Sequence, residues 1–394
     1  MQKLKILHYI PVYAPAWQFG GPVKSVSQLC EGLVSQGHEV EVFTSNAGLA
    51  SFSDLPLNKA VDKNGVQVSY FSRKSGLGIA CPGMENAVRQ RAKEFDIIHV
   101  TGVWQRTSVA ACQAAKTNNI PYVVSPRGAL GPYSWQQKAI KKKIYYWLKE
   151  QFNVKNAEGV HYTTEQEKDE CRLLKLPGKP FVIPNGFDFG AWRPDPEKVS
   201  QWKELNAFNP DAFLILNVGR LHHKKGLDLL PAALAPLRGL NWRLVLVGNS
   251  EDDTKIRLKE KFESFGLLEH LRFLEFEKPE NLPAIYAAAN LFVLPSRHEN
   301  FGNVVVEALA CHCPVMISQE VGLNQEVKKA EVGWVLPRVA EEWSNQINEL
   351  MQNKNKLTEV SSRTRKWAEQ VFSYQKTAFQ MANQYLNLNN SDAD

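Results

Sequence analysis

PSRHENFGNVVVEALA, Pro295–Ala310, decides the reading of this chain. It follows the apolar run Leu291–Leu294 and leads into a second apolar stretch with helical spacing, so it reads as strand, loop and helix start. Glu299 falls in the loop, and Glu307 lies one to two turns inside the helix. Asn300, Phe301, Gly302, Asn303 and Val304 sit at the helix start, where backbone N–H groups lack partners within the helix. Such an end attracts anions and hydroxyl oxygens, and Gly302 allows backbone to approach a ligand closely. The plainer alternative is a capped helix carrying two solvated carboxylates.

The same alternation of short apolar runs and longer helical patterns extends in both directions. Upstream, strands are expected at Lys5–Ile10, Val40–Thr44, Val66–Phe71, Ile97–Val100, Tyr122–Ser125, Val160–Thr163 and Phe181–Ile183, with a helix over Lys24–Gln36 that stops at Gly37. Most runs are β-branched, as suits strands buried on both faces. The segment PNGFDFGAWRPDP breaks both periodicities. Strands resume at Phe213–Val218, Leu244–Val247, Leu271–Leu274, Leu291–Leu294, Val315–Ile317 and Trp334–Leu336. This pattern implies two doubly wound parallel-sheet α/β domains. The expected division is 1–187 as an N-terminal domain, 188–210 as linker, 211–356 as a C-terminal domain and 357–386 as a helical segment packing back on the N-terminal domain. Ligand sites in such sheets lie at the carboxyl ends of the strands.

Two further segments suit a phosphate. LNVGRLHHKKGLDLL, Leu216–Leu230, ends a strand at Val218, turns at Gly219, and presents Arg220 and Lys225 before a helix. An arginine fork and a lysine point charge fit a diphosphate, although an ordinary basic loop has the same look. WQFGGPVKS, Trp17–Ser25, places Gly20 and Gly21 before a helix starting near Val23, either a phosphate loop or a bare turn.

Together these segments resemble glycosyltransferase family 4, the retaining group 1 glycosyl transferases with the GT-B fold. The family's Glu-x7-Glu signature matches Glu299 and Glu307, its donor-phosphate cations match Arg220 and Lys225, and its glycine loop matches Gly20 and Gly21. IPNGFD at Ile183–Asp188 and LFVLPS at Leu291–Ser296 match as well. FDIIHVTGVW and PYVVSPRGAL resemble the strand ends lining the family's acceptor side, which marks His99, Thr101, Trp104 and Arg127. The resemblance implies two Rossmann-like domains facing across a cleft. It implies that Glu307 binds the ribose hydroxyls, that Glu299 faces the transferred sugar, that the amides around Asn300–Val304 hold sugar hydroxyls and phosphate, and that Arg220 and Lys225 neutralise the leaving diphosphate. Family members retain anomeric configuration and need neither metal nor cofactor. The expected donor is a nucleotide-diphosphate sugar of UDP or GDP type. The expected acceptor is a glycan or a lipid-linked molecule in polysaccharide or lipopolysaccharide biosynthesis.

Three residues depart from the family pattern. Thr101 stands where many members carry the second histidine of His-x-His, so His99 is alone. Arg127 stands where many carry histidine, and reads either as a phosphate ligand or as part of a structural ion pair. Glu275 replaces a usual glycine near the nucleobase.

Composition agrees with a soluble two-domain enzyme: 394 residues, 44% hydrophobic and 22% charged, net charge +6. No apolar run approaches the roughly 20 residues that span a bilayer, and the start, MQKLKILHYI, is too short and mixed for a signal peptide. A cytoplasmic protein is expected. The six cysteines are too few for a disulfide scaffold, and Cys311–His312–Cys313 lacks a second ligand pair for zinc. The sole Asp-x-Asp, Asp392–Asp394, falls in the polar tail. No basic run has nucleic-acid motif spacing.

SWQQKAIKKKIYYWLKEQF, Ser134–Phe152, has helical period with a stripe of Ile140, Ile144, Leu148 and Phe152. Two readings stand: a surface helix that packs the stripe on the sheet, or a helix that docks on anionic membrane, which would place the protein peripherally on its inner face.

Three rival functions fit the sequence less well. A non-transferring GT-B enzyme acting on a nucleotide sugar, such as an epimerase, conflicts with the Glu-x7-Glu pattern. A nicotinamide-dependent oxidoreductase needs G-x-G-x-x-G, and the nearest match, Gly76–Pro82, has Cys81 at the third glycine. A non-catalytic binding module would not need Glu299, Glu307, Arg220 and Lys225 intact.

Overall fold

The computed structural model describes residues 2–49, 55–74, 80–136, 139–172, 179–206, 208–209, 211–250, 252–275 and 277–390. Lys138, the first part of the Gly76–Pro82 stretch, and Asp392 and Asp394 of the tail lie outside the described residues. The chain divides into two compact units, one of residues 1–187 with 372–394, the other of residues 188–371.

The first unit is built on a sheet of strands β1 (Lys5–Tyr9), β2 (Glu39–Ser45), β3 (Ala60–Lys63), β4 (Val66–Phe71), β5 (Ile97–Thr101), β6 (Tyr122–Ser125), β7 (Gly159–Tyr162) and β8 (Lys179–Val182). Their order is β3-β4-β2-β1-β5-β6-β7-β8, parallel throughout except β3. Successive side chains alternate between faces. Leu7 and Tyr9 join Ile98, Val100 and the Pro82–Arg91 and Arg106–Thr117 helices on one side. Ile6 and Ile10 join Val26, Leu33 and the chain's last helix on the other. Both sides are therefore apolar, which is why these strands read as nearly continuous hydrophobic runs.

β3 escaped the sequence reading because AVDK is short and mostly exposed on an antiparallel edge. A signal was present all the same: Asn64 (φ 54°) and Gly65 (φ 84°) form the left-handed two-residue turn that closes a hairpin.

The second unit carries β9 (Phe213–Val218), β10 (Trp242–Val247), β11 (Leu271–Leu274), β12 (Leu291–Leu294), β13 (Val315–Ser318) and β14 (Gly333–Leu336). They pair in the order β11-β10-β9-β12-β13-β14, all parallel. Trp242, Phe262, Trp343 and Ile347 anchor its core.

Two expected boundaries are corrected. Residues 188–210 are more than a linker, because they include the helix Pro196–Leu205, which packs against the helix Leu282–Ala288. Asp195 caps that helix by accepting from the Glu197 N–H at 3.0 Å. The terminal segment also divides differently from 357–386. The helix Lys354–Phe372 stays with the second unit, where the Arg365 guanidinium donates to the carbonyls of Trp192 (2.6 Å), Phe189 (2.7 Å) and Ala310 (2.5 Å). Only the helix Tyr374–Asn390 packs on the first unit, where Ala378 lies so close to Gly32 that a Cβ there would sit 2.6 Å from it. The two chain crossings run side by side: Phe187 N–H donates to Phe372 and its carbonyl accepts from Tyr374.

Candidate functional site

In the second unit the candidate residues gather at the carboxyl ends of β9 and β12. β9 and β10 leave the sheet together through Gly219 (φ 140°) and Gly248 (φ 137°). A Cβ on Gly248 would fall 2.1 Å from the Gly219 carbonyl, so glycine is required for the loops to part this closely. Arg220 follows, exposed. The turn His223–Lys225 ends at Gly226 (φ 62°), where a Cβ would lie 2.1 Å from the Pro295 carbonyl. This close approach joins the β9 loop to the β12 loop, and the Arg297 N–H adds a bond to Lys224 O at 2.7 Å.

That contact sets the central pair. Lys225 Nζ lies 2.5 Å from Glu299 Oε2, both side chains mostly shielded from solvent. The Glu299 backbone is fixed from the far side: its N–H donates to Glu320 and its carbonyl accepts from Gly322 at 2.7 Å. Gly322 passes so near Asn300 that a Cβ would stand 2.0 Å from the Asn300 carbonyl. Gly322 is a positioning residue that the sequence reading missed, since an isolated glycine after a strand carries no distinctive signal.

Gly302 (φ 91°) caps the helix Asn303–Ala310. Phe301 is buried, while Asn300, Asn303 and Val304 are partly exposed. Glu307, 8% exposed, accepts a hydrogen bond from the Tyr286 hydroxyl at 3.0 Å. Tyr286 is fully buried, its phenol pushed well above the usual range by burial and then by the Glu307 charge, so it stays a donor and orients the carboxylate. The sequence reading missed Tyr286 too, in an alanine-rich helix that looks like ordinary core.

His222, His223 and Asp252 come within 4.8 Å of one another at their ligand atoms, a group among the described residues with the composition for a divalent ion. Burial, then His223, Lys224 and Arg220, hold His222 below the ordinary histidine range. Cys311 and Cys313 are buried free thiols.

In the first unit Gly20 (φ 83°) caps the helix Gly21–Ser35, which therefore begins two residues earlier than expected. The acceptor-side expectation is corrected for His99. It is fully buried, and both ring nitrogens are taken up inside the protein. Tyr385 O–H donates to His99 Nδ1 at 2.5 Å, and His99 Nε2 donates to Ser125 Oγ at 2.5 Å. The chain continues from Ser125 to His161 Nδ1 at 2.7 Å and from His161 Nε2 to the Ile183 carbonyl at 2.8 Å. With one proton per imidazole the donors run in a single direction, which assigns the tautomers. Burial first, and neighbouring charge after it, lowers His8 and His161 to about 3 and His99 well below its usual range.

Thr101 is buried at the end of β5. Arg127, in a left-handed conformation (φ 53°), donates to Asn185 of the IPNGFD segment. Burial lowers its pKa while Glu167 opposes the shift. Glu167 in turn accepts from Gly128 N–H at 2.5 Å and from Thr163 N–H at 2.8 Å. Trp104 (φ 68°) is held at both ends: its N–H donates to Glu150 Oε1 and its indole to the Ala129 carbonyl, each at 2.8 Å. Glu275 is exposed directly after β11.

The comparisons with known proteins follow this division. Residues 20–186 match the glycosyl transferase 4-like domain, and residues 199–367 match the glycosyl transferases group 1. The chain is 29% identical to an uncharacterized glycosyltransferase of Methanocaldococcus jannaschii across 81% of its length and 82% of that protein's. It is 28% identical to the D-inositol 3-phosphate glycosyltransferase of Gordonia bronchialis, covering 96% and 86%. The fold superposes on Anabaena HepE, solved with UDP and glucose, with a TM-score of 0.76 at 22% identity, over 98% of this chain and 100% of the other. With two parallel-sheet units and both halves matched in order, the chain belongs to the group 1 glycosyl transferases, as a GT-B glycosyltransferase of the family 4 type.

Proposed function

We propose that the protein transfers a hexose-type sugar from a UDP- or GDP-sugar to a glycan or lipid-linked acceptor, with retention and without a metal, in polysaccharide or lipopolysaccharide assembly. The carrying observation is the Lys225–Glu299 pair at 2.5 Å, beside Arg220 and the Asn303–Ala310 helix start. In this reading Arg220 and Lys225 neutralise the diphosphate. Glu307 takes the ribose hydroxyls, Glu299 faces the sugar, and the amides from Asn300 to Val304 hold its hydroxyls and phosphate. Gly20 and Gly21 serve as a phosphate loop of the first unit, and Thr101, Trp104 and Arg127 belong to the acceptor side.

The bond from the anomeric carbon to the diphosphate breaks and one to the acceptor oxygen forms with net retention, by front-face attack or through a covalent intermediate, while the acceptor proton leaves with the diphosphate. Negative charge grows on the leaving oxygens, where fixed cations and helix-end amides stabilise it most. The UDP complex of HepE and the inositol phosphate named for the Gordonia relative support a nucleoside diphosphate donor and a hydroxyl acceptor.

Cytoplasmic work at the inner face of a membrane suits a lipid-linked acceptor. Among the described residues no helix is long and apolar enough to cross one.

The test is mass spectrometry after incubation with UDP- and GDP-sugars and candidate acceptors. A product heavier than the acceptor by one hexose supports the reading. A rearranged nucleotide sugar with no transfer refutes it in favour of an epimerase-like enzyme.

A further inference from the structure

The segment from Pro132 to Lys155 is apolar on two sides. It comprises the helices Pro132–Gln136, Ala139–Tyr145 and Gln151–Lys155, the last two joined by one wide turn over Tyr146–Glu150. Its inner side is fully used. Tyr146, Glu150, Asn153 and Val154 are buried; Tyr146 packs edge-on against Trp135, and Glu150 holds the Trp104 backbone. The stripe that the sequence offered as a packing face points elsewhere. Ile140 is 76% exposed, Ile144 56%, Trp147 69%, Leu148 70% and Phe152 48%. Packing on the sheet is thus excluded for these five side chains, and a monomer in water gains nothing by displaying them together.

We infer that this outer face is a docking surface for an anionic lipid bilayer, lying flat in the headgroup layer. The inference deepens the lipid-linked reading above, resting on it for purpose but not for the binding itself. Length and charge favour lipid. From Ile140 to Phe152 the segment runs about 18 Å, too short to span a bilayer and suited to lying along one. Lys143, Lys149 and Lys155 are exposed beside the stripe, and Lys116 Nζ sits 4.4 Å from the centre of the Phe152 ring. The one carboxylate within the segment, Glu150, is buried on the inner side, where burial pushes its pKa up to about 7. Among the described residues of the segment the outer side therefore carries basic and apolar groups and no carboxylate, the complement of phospholipid headgroups over acyl chains. A second copy is a poorer occupant, since an isologous contact would set like lysines against each other. Through Glu150 the docked segment directly fixes the backbone of Trp104, one of the acceptor-side residues.

The experiment is co-sedimentation of the full chain with vesicles of phosphatidylcholine alone or mixed with phosphatidylglycerol, at low and high salt. Wild type is compared with Trp147→Glu/Leu148→Glu and Lys143→Glu/Lys149→Glu, with UDP and GDP binding measured by calorimetry on each preparation. Wild type is expected to bind the mixed vesicles at low salt and to be released by high salt. Losing the two apolar side chains should lower binding roughly a hundredfold, and reversing the two lysines at least about tenfold. Nucleoside diphosphate binding unchanged in both variants shows that they remain folded. Absence of wild-type binding at low salt, or equal binding by the Trp147/Leu148 variant, overturns the proposal. So does a wild-type dimer that this variant turns into a monomer, because the face then belongs to a second copy. Vesicle binding by a wild type that binds neither UDP nor GDP refutes the donor reading while leaving the docking surface supported.

Discussion

Lys225 Nζ and Glu299 Oε2 stand 2.5 Å apart, joining loops that leave different strands of the same sheet. The pair fixes a cation and a carboxylate side by side at the strand ends. If Lys225 and Arg220 act on charge that develops as the sugar–phosphate bond breaks, their loss falls on turnover rather than on donor affinity. Lys225→Ala and Arg220→Ala should each lower kcat on the order of 100-fold with a small change in KM. Steady-state kinetics with a KM effect alone would exclude the role.

Tyr286 and Glu307 make a graded prediction. If Glu307 accepts the two ribose hydroxyls, as proposed, Glu307→Ala removes two charge-assisted bonds worth ~1.5–3 kcal/mol each. Tyr286→Phe leaves the carboxylate in place without the 3.0 Å bond that orients it. Calorimetry with UDP or GDP should show a large loss for the first and a several-fold loss for the second. Equal affinity in all three proteins would remove Glu307 from the nucleotide site.

If Arg220 and Lys225 supply the positive charge, as proposed, transfer should continue in excess EDTA. The His222–His223–Asp252 group gives this a sharp control. Loss of activity in chelator that zinc or manganese restores, and that His223→Ala abolishes, would make the enzyme metal-dependent at that group.

The buried histidines set an acid limit. His8, His99 and His161 have folded pKa values below the unfolded value of about 6.5. In that window the unfolded chain binds more protons, so stability is fully present above pH 6.5 and falls as the pH drops towards 3. Tm measured from pH 7.5 to 4.5 should decline steeply, and His161→Gln should flatten the decline. A flat wild-type profile would contradict the neutral network.

Glu150 works in the opposite direction. Burial raises its pKa to about 7, against the Trp104 N–H bond that lowers it. The folded state binds more protons between about 4.5 and 7, so this contribution is complete at low pH and is lost as pH rises through 7. Glu150→Gln should therefore raise Tm more at pH 8 than at pH 5, by at most ~3 kcal/mol in stability. The same gain at both pH values would show that Glu150 is not buried in its neutral form.

Much of the candidate site in the second unit was legible because its signals are local. Glu299, Gly302 and Glu307 lie within nine residues of one another, and a strand followed by a glycine-capped helix start is written in that short span. Arg220 and Lys225 were readable for the same reason. The partners that hold them were not. Tyr286 reaches Glu307 from another helix, and Gly322 braces Asn300 from the loop after β13. On the acceptor side, His99 looked like a ligand because its motif resembles one, yet Tyr385, 286 residues away, occupies its Nδ1.

The sequence by itself determined two parallel sheets, the loops at their carboxyl ends and the family of the chain, because strand burial on both faces and helix-start chemistry leave period and composition along a few residues. Tertiary structure decided which side chains meet and which face water. The Ile140–Phe152 stripe shows the difference: helical spacing marks a face as apolar, but only the packing of Tyr146, Glu150 and Val154 against the first unit decides that the stripe turns outward.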